Sequence, residues 1–171
     1  MSGPNTGARL IILCGLPGSG KTTRGRQIEG RLGAIRLAPD EWMEALGLNL
    51  WDEAARARVE ALQWDLARGL LLRGLTVVIE WGTWARSERD ALRVGARTLG
   101  VAVELHHLAA PPEVLFERIR RRAQEDPRIQ FADILRWSEA FQTPTRDEMA
   151  LFDPSAVQDL AAEHGALDTW R

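Results

Sequence analysis

Lysine is almost missing from this chain: of its 22 basic residues, the only lysine is Lys21 and the rest are arginine. Cysteine is as scarce. Cys14 stands alone, so no internal disulfide framework can form and a reducing compartment suffices. Set in an apolar run, it reads as a small buried hydrophobe. Long hydrophobic runs are lacking too, since Leu10 to Leu13 is too short for a signal core or a membrane span. A cytoplasmic location is the expectation. Nor is there a large excess of either charge. A formal net charge of -2 gives no overall attraction to a polyanion, which disfavours an extended grip on nucleic acid while leaving room for a local basic site. No repeat, low-complexity tract or linker interrupts the 171 residues, a length that suits one domain, 1–171, with a sizeable core and no second domain.

What is present alternates. Short apolar or β-branched runs precede longer amphipathic ones, a pattern of α/β folds with a mostly parallel sheet. Strands are expected over Arg9 to Cys14, Ala34 to Leu37, Thr76 to Glu80 and Val101 to His107, with a fifth guessed near Ala156 to Leu160. Helices are expected over Lys21 to Leu32, Asp52 to Arg73, Ser87 to Leu99 with Ser87 as N-cap, Pro112 to Gln124, and Phe131 to Phe141. Val59, Leu62, Leu66 and Leu70 recur at helical spacing and read as the core face of the long helix. Left exposed, they would instead support a homodimer, so monomer and homodimer both stay open.

Directly after the first strand comes Gly15-Leu16-Pro17-Gly18-Ser19-Gly20-Lys21-Thr22-Thr23. It fits G-x-x-x-x-G-K-[ST] in the strand-to-helix context that this phosphate loop requires. Its glycines let backbone N–H groups turn inward on an anion, and the helix N-terminus adds partial positive charge. A slim ammonium enters such a loop more easily than a planar guanidinium, which accounts for the one lysine among so many arginines. Lys21 would lie between the β- and γ-phosphates of a nucleotide, with Thr22 offering its hydroxyl to Mg²⁺. No guanine-reading N-K-x-D segment is recognisable, which favours ATP.

Other residues cluster at the expected strand ends, where open α/β sheets bind ligands. Asp40 follows the second strand and is either a base for a substrate hydroxyl or the cap of a helix starting at Glu41. Glu80 ends the third, where an acid holds a metal-bound water, orients an acceptor, or pairs with a nearby arginine. Trp42, Trp81 and Trp84 project from strand ends as a candidate aromatic wall, whereas Trp51 and Trp64 read as packing residues. Arg86 and Arg89 either neutralise an acidic substrate or form a solvated face. Within Arg118-Ile119-Arg120-Arg121-Arg122, Arg118 and Arg122 share one helix face, and a polar segment follows, giving a lid over about 118–130. His106 and His107 point to opposite sheet faces, which argues against a shared metal site.

The segments RLIILCGLPGSGKTT, RLAPDEWM and VVIEWGTWARSERD resemble small P-loop kinases often labelled AAA-type ATP-binding proteins. These are related to polynucleotide kinase, chloramphenicol phosphotransferase, zeta toxin and tunicamycin-resistance proteins. The resemblance covers roughly 9–152. It implies a three-layer, nucleoside-kinase-like α/β/α fold with four or five strands and a small lid. It also implies that Asp40 is the acceptor-activating base, that Arg118 and Arg122 match an R-x-x-x-R lid pattern, and that Glu80 stands where similar proteins often carry aspartate. The expected activity is ATP- and Mg²⁺-dependent phosphoryl transfer to a hydroxyl of a small molecule. A 5′-hydroxyl polynucleotide kinase and a non-catalytic ATP-binding switch are the alternatives. Assembly into a large ring is not expected, because no helical lid domain of the ring-forming kind is present.

Overall fold

A computed structural model describes residues 7–122 and 128–157. Four parallel strands form one sheet in the order β2-β3-β1-β4: β1 (Arg9–Cys14), β2 (Ile35–Leu37), β3 (Val77–Gly82) and β4 (Ala102–His107). The helices are α1 (Lys21–Leu32), α2 (Pro39–Ala45), α3 (Glu53–Leu72), α4 (Arg86–Arg97), α5 (Pro112–Arg122), α6 (Phe131–Ala140) and the short α7 (Arg146–Met149). Strand β1 is buried on both faces, and its side chains alternate between two cores as the pleat dictates. Leu10, Ile12 and Cys14 join Ala67 and Leu71 of α3 and Leu92 and Ala96 of α4 on one face. Ile11 and Leu13 meet Ile28 of α1 on the other. The result is a three-layer α/β/α arrangement with the β1–α1 loop at the carboxyl end of its central strands. Cys14 is buried as a small apolar residue, and burial pushes its thiol up to about 11.

Several expectations are corrected. Helix α2 starts at Pro39, a residue whose fixed φ suits the first helical position, so Asp40 lies inside the first turn and does not cap it. Helix α4 starts at Arg86 and its N-cap is Ala85, not Ser87. The capping is supplied by Glu88, whose Oε2 accepts from the Ala85 N–H at 2.9 Å. The buried stripe of α3 is Ala55, Val59, Gln63, Ala67 and Leu71, whereas Leu62 is 62% and Leu66 42% exposed. Strand β3 runs two residues beyond Glu80, through Trp81 and Gly82. No fifth strand covers Ala156 or Val157. The edge of β4 is met instead by Asp153, whose Oδ2 accepts from Val103 N at 2.7 Å and whose N donates to Val103 O at 2.8 Å. The rest of that expected strand, and 123–127 of the expected lid, lie outside the described residues.

Candidate functional site

The β1–α1 loop winds through three left-handed glycines, Gly15 (φ 151), Gly18 (φ 80) and Gly20 (φ 102). Gly18 also has no room for a side chain, because a Cβ there would lie 2.8 Å from the carbonyl oxygen of Leu115 on α5. Inside the curl, Lys21 Nζ donates to Gly15 O at 2.8 Å and Leu16 O at 3.0 Å, which holds the ammonium over the loop. Burial lowers its pKa to about 8; Glu80 and Asp40 oppose the shift, and Arg122 adds to it. The same balance places Lys21 within the fields of three residues expected at the site. Pro17 completes the turn, and Ser19 is buried with its hydroxyl unpartnered, while Thr23 sits one position into α1 beyond Thr22.

Thr22 donates its hydroxyl to Glu80 Oε1. Glu80 Oε2 accepts from Arg36 Nη1 at 2.7 Å, and Arg36 Nη2 donates to Glu41 at 2.6 Å. A chain of charge-assisted bonds therefore runs from the phosphate loop across the ends of β3 and β2 to α2. Helix α1 fits against it only because residue 25 is glycine: a Cβ there would meet Arg36 Cδ at 2.7 Å and Glu80 Oε2 at 3.1 Å. Neither Arg36 nor Gly25 was singled out from the sequence.

Asp40 projects from the first turn of α2 with its side chain 69% exposed, and its Oδ1 accepts from Arg56 Nη2 of α3 at 2.6 Å. Arg118 Nη1 donates to Gly18 O at 3.2 Å, tying α5 to the loop. Arg120 and Arg121 instead pair with Glu117 on the open face of α5.

The tryptophans divide. Trp81 donates its Nε1–H to Gln63 Oε1 at 2.8 Å and lines a cavity of about 310 Å³ between α3 and α4. Trp42 packs against the α2–α3 core beside Met43, and Trp84 packs on Trp137 with ring centroids 6.0 Å apart. Trp51, expected to pack on the long helix, is 44% exposed and lies 6.3 Å from Trp137 between ring centroids. Trp64 packs against the core as read and also joins Trp81 in the cavity wall together with Glu60, Thr83 and Glu88. An i, i+4 pair, Glu60 and Trp64, beside the buried stripe of α3 was the signal available in the sequence. Arg86 stays on the exposed first turn of α4 and pairs with Asp90. Arg89 is neither substrate-facing nor solvated. Fully buried, it donates to both oxygens of Glu148 at 2.6 and 3.0 Å, to Thr83 O at 2.9 Å and to Gln142 O at 2.8 Å. His107 stacks on Phe141, and His106 Nε2 lies 2.8 Å from Glu104.

Residues 10–144 match the family model described as an AAA domain. A shikimate kinase of Bradyrhizobium diazoefficiens is 32% identical over 131 residues, which take in 74% of this chain and 60% of that kinase, so the chain spans less than two thirds of that relative's length. A gluconokinase from Sinorhizobium meliloti 1021 superposes with a TM-score of 0.58 at 21% identity, over 83% of this chain and 79% of the other. Kti12 of Chaetomium thermophilum, solved in complex with ADP-AlF3, superposes with a TM-score of 0.63 at 20% identity, over 91% of this chain and 94% of the other. Likeness at these identities speaks for the fold. Because the family match runs from β1 past α6 and takes in the phosphate loop and both strand-end acids, the chain belongs to the AAA domain family and carries the fold of P-loop kinases.

Proposed function

We propose that this protein is an ATP-dependent phosphotransferase that moves the γ-phosphate to a hydroxyl of a small-molecule acceptor. The reading rests chiefly on the position of Asp40. It projects, exposed, from the first turn of α2 just beyond β2, where Arg56 holds it at 2.6 Å, and its charge is felt both at Lys21 in the phosphate loop and at Glu60 in the wall of the α3–α4 cavity. Asp40 takes the proton of the acceptor hydroxyl as its oxygen attacks the γ-phosphorus, the bond to the bridging oxygen breaks, and ADP leaves. Arg56 fixes the carboxylate without occupying both of its oxygens. Lys21 and the loop N–H groups hold the phosphates. Arg118, bonded to Gly18 O at 3.2 Å, and Arg122, whose charge is felt at Lys21, would counter charge that develops during transfer.

Thr22 and Glu80 are hard oxygen donors already in contact, a donor set that suits Mg²⁺. Among the described residues no group of three or more His, Cys, Asp or Glu could hold a metal alone, so phosphate oxygens and water would complete its shell. When bound, the ion would neutralise charge on the β- and γ-oxygens. No helix among the described residues is long and apolar enough to cross a membrane, and a cytoplasmic enzyme is the reading we adopt.

The test is ³¹P NMR of the protein with Mg-ATP and a set of hydroxyl compounds, comparing wild type with Asp40→Asn. A phosphate-ester resonance is expected from wild type. The variant should bind ATP normally and transfer about 10²- to 10⁴-fold more slowly. Equal transfer by the two would remove Asp40 from the mechanism. Tight ATP binding with no ester from any acceptor would favour the switch.

A further inference from the structure

The α3–α4 cavity has an unusual charge for a site expected to serve phosphoryl transfer. Glu60 and Glu88 line it, no arginine or lysine does, and its remaining lining is Ala61, Trp64, Trp81, Thr83, Ala91 and Leu92. Glu60 has no hydrogen-bond or ion-pair partner among the described residues. Burial pushes its carboxyl up to about 7; Arg56 opposes that shift, while Glu88 and Asp40 add to it. Arg56, the cation closest in influence, is committed to Asp40 at 2.6 Å and to the Leu50 carbonyl at 3.2 Å. A second feature of the wall is independent of these acids. Thr83 is 4% exposed, its hydroxyl has no hydrogen-bond partner, and its backbone is held at φ 42, a conformation that costs a β-branched residue energy. The Arg89 bond to Thr83 O keeps it there. An unmet hydroxyl and an unmet carboxyl in one wall are what a ligand rich in donors would satisfy.

We propose that this cavity takes the phosphoryl acceptor and that the acceptor carries a protonated amine beside its hydroxyl groups, as an amino sugar or amino alcohol does. The inference rests on the phosphotransferase reading. A carboxylate or phosphate ester on the acceptor would meet Glu60 and Glu88 with no counter-charge and be repelled. A neutral polyol would be admitted, but it would leave the Glu60 carboxylate without a charged partner. An ammonium has three donors and no acceptor, so it pairs with Glu60, and the indole faces of Trp64 and Trp81 favour a cation further. The charge of Asp40 is felt at Glu60, and with its amine on the cavity acids the acceptor would set a hydroxyl toward that base.

Intrinsic fluorescence tests the charge preference, since two tryptophans line the cavity. The probes are matched sets of one skeleton each: D-glucosamine, D-glucose and D-gluconate, and ethanolamine and serinol with ethylene glycol and glycerol. At least one amine should quench saturably with an affinity roughly ten-fold or more above its amine-free counterpart, about 1.4 kcal/mol. Binding should strengthen as pH rises through about 7, where Glu60 ionises in the presence of Arg56, Glu88 and Asp40, and Glu60→Gln should abolish both the preference and the pH dependence. A thermal melt of the variant at least as high as wild type certifies its fold. The proposal is overturned if no amine binds, if amine and amine-free members bind alike, or if Glu60→Gln changes neither readout. The same samples with Mg-ATP separate the two readings. An amine that binds through Glu60 but is never phosphorylated keeps the amine site and overturns its assignment to the phosphoryl acceptor. Asp40-dependent phosphorylation of an amine-free or acidic compound alone keeps the phosphotransferase reading and overturns the amine acceptor.

Discussion

Lys21 shows how one residue can carry both a structural and an electrostatic role. Its ammonium bonds two loop carbonyls, and with a pKa of about 8 it is largely charged at neutral pH and largely neutral near pH 9. Phosphates restore the charge by bringing anions against it, so nucleotide binding should take up a proton above pH 8 and none near pH 6. Calorimetry in buffers of different ionisation enthalpy reads this directly, and a binding heat that does not vary with buffer at pH 9 would contradict it. The position of Lys21 was legible from the sequence because a loop that closes on phosphate tolerates few residue types. Thr83 was not legible. A lone threonine in a polar stretch gives no hint of a positive φ that depends on an arginine six positions on and a glutamate 59 positions beyond that.

Helix α1 illustrates the same limits one level up. Its bounds, Lys21 to Leu32, follow from the loop before it and Gly33 after it, which adopts the left-handed conformation that ends many helices. The reason for Gly25 within the helix lies outside it, in the Arg36–Glu80 pair that it packs against. Gly25→Ala should lose about 1–3 kcal/mol by overpacking, against a propensity gain of roughly 1 kcal/mol, and should slow phosphoryl transfer by displacing Glu80. Gly30→Ala is the control. Nothing lies within 4 Å of its added methyl, so it should gain roughly 0.5–1 kcal/mol. Urea melts of both variants, with activity alongside, decide between packing and propensity. Helix α3 was the harder case. Its leucines suggested one buried face, but Gln63, Ala67 and Leu71 are the residues that reach the sheet, while Ala55 and Val59 pack against α2.

Across the whole molecule, the sheet and its phosphate loop were legible because each depends on neighbours in sequence. The cavity was not, since it joins Glu60 and Trp64 to Trp81, Thr83 and Glu88 from a different helix and strand. The same holds for the Arg89–Glu148 pair. Removing one partner of a fully buried pair typically costs about 3–5 kcal/mol, and Glu148→Ala should lower stability by that order in a chemical melt, with the loop carrying Thr83 and Trp84 loosening first in hydrogen exchange. This pair also bears on where the protein can be cut. The family match ends at residue 144, yet Glu148 and Asp153 lie past it, one neutralising Arg89 and the other bonding the edge of β4. A fragment trimmed to the matched segment would keep every residue of the phosphate loop and still bury a guanidinium without its carboxylate beneath the α3–α4 cavity. Sequence families are delimited by what recurs among relatives, and in this chain the smallest piece able to hold its own site together is longer than that.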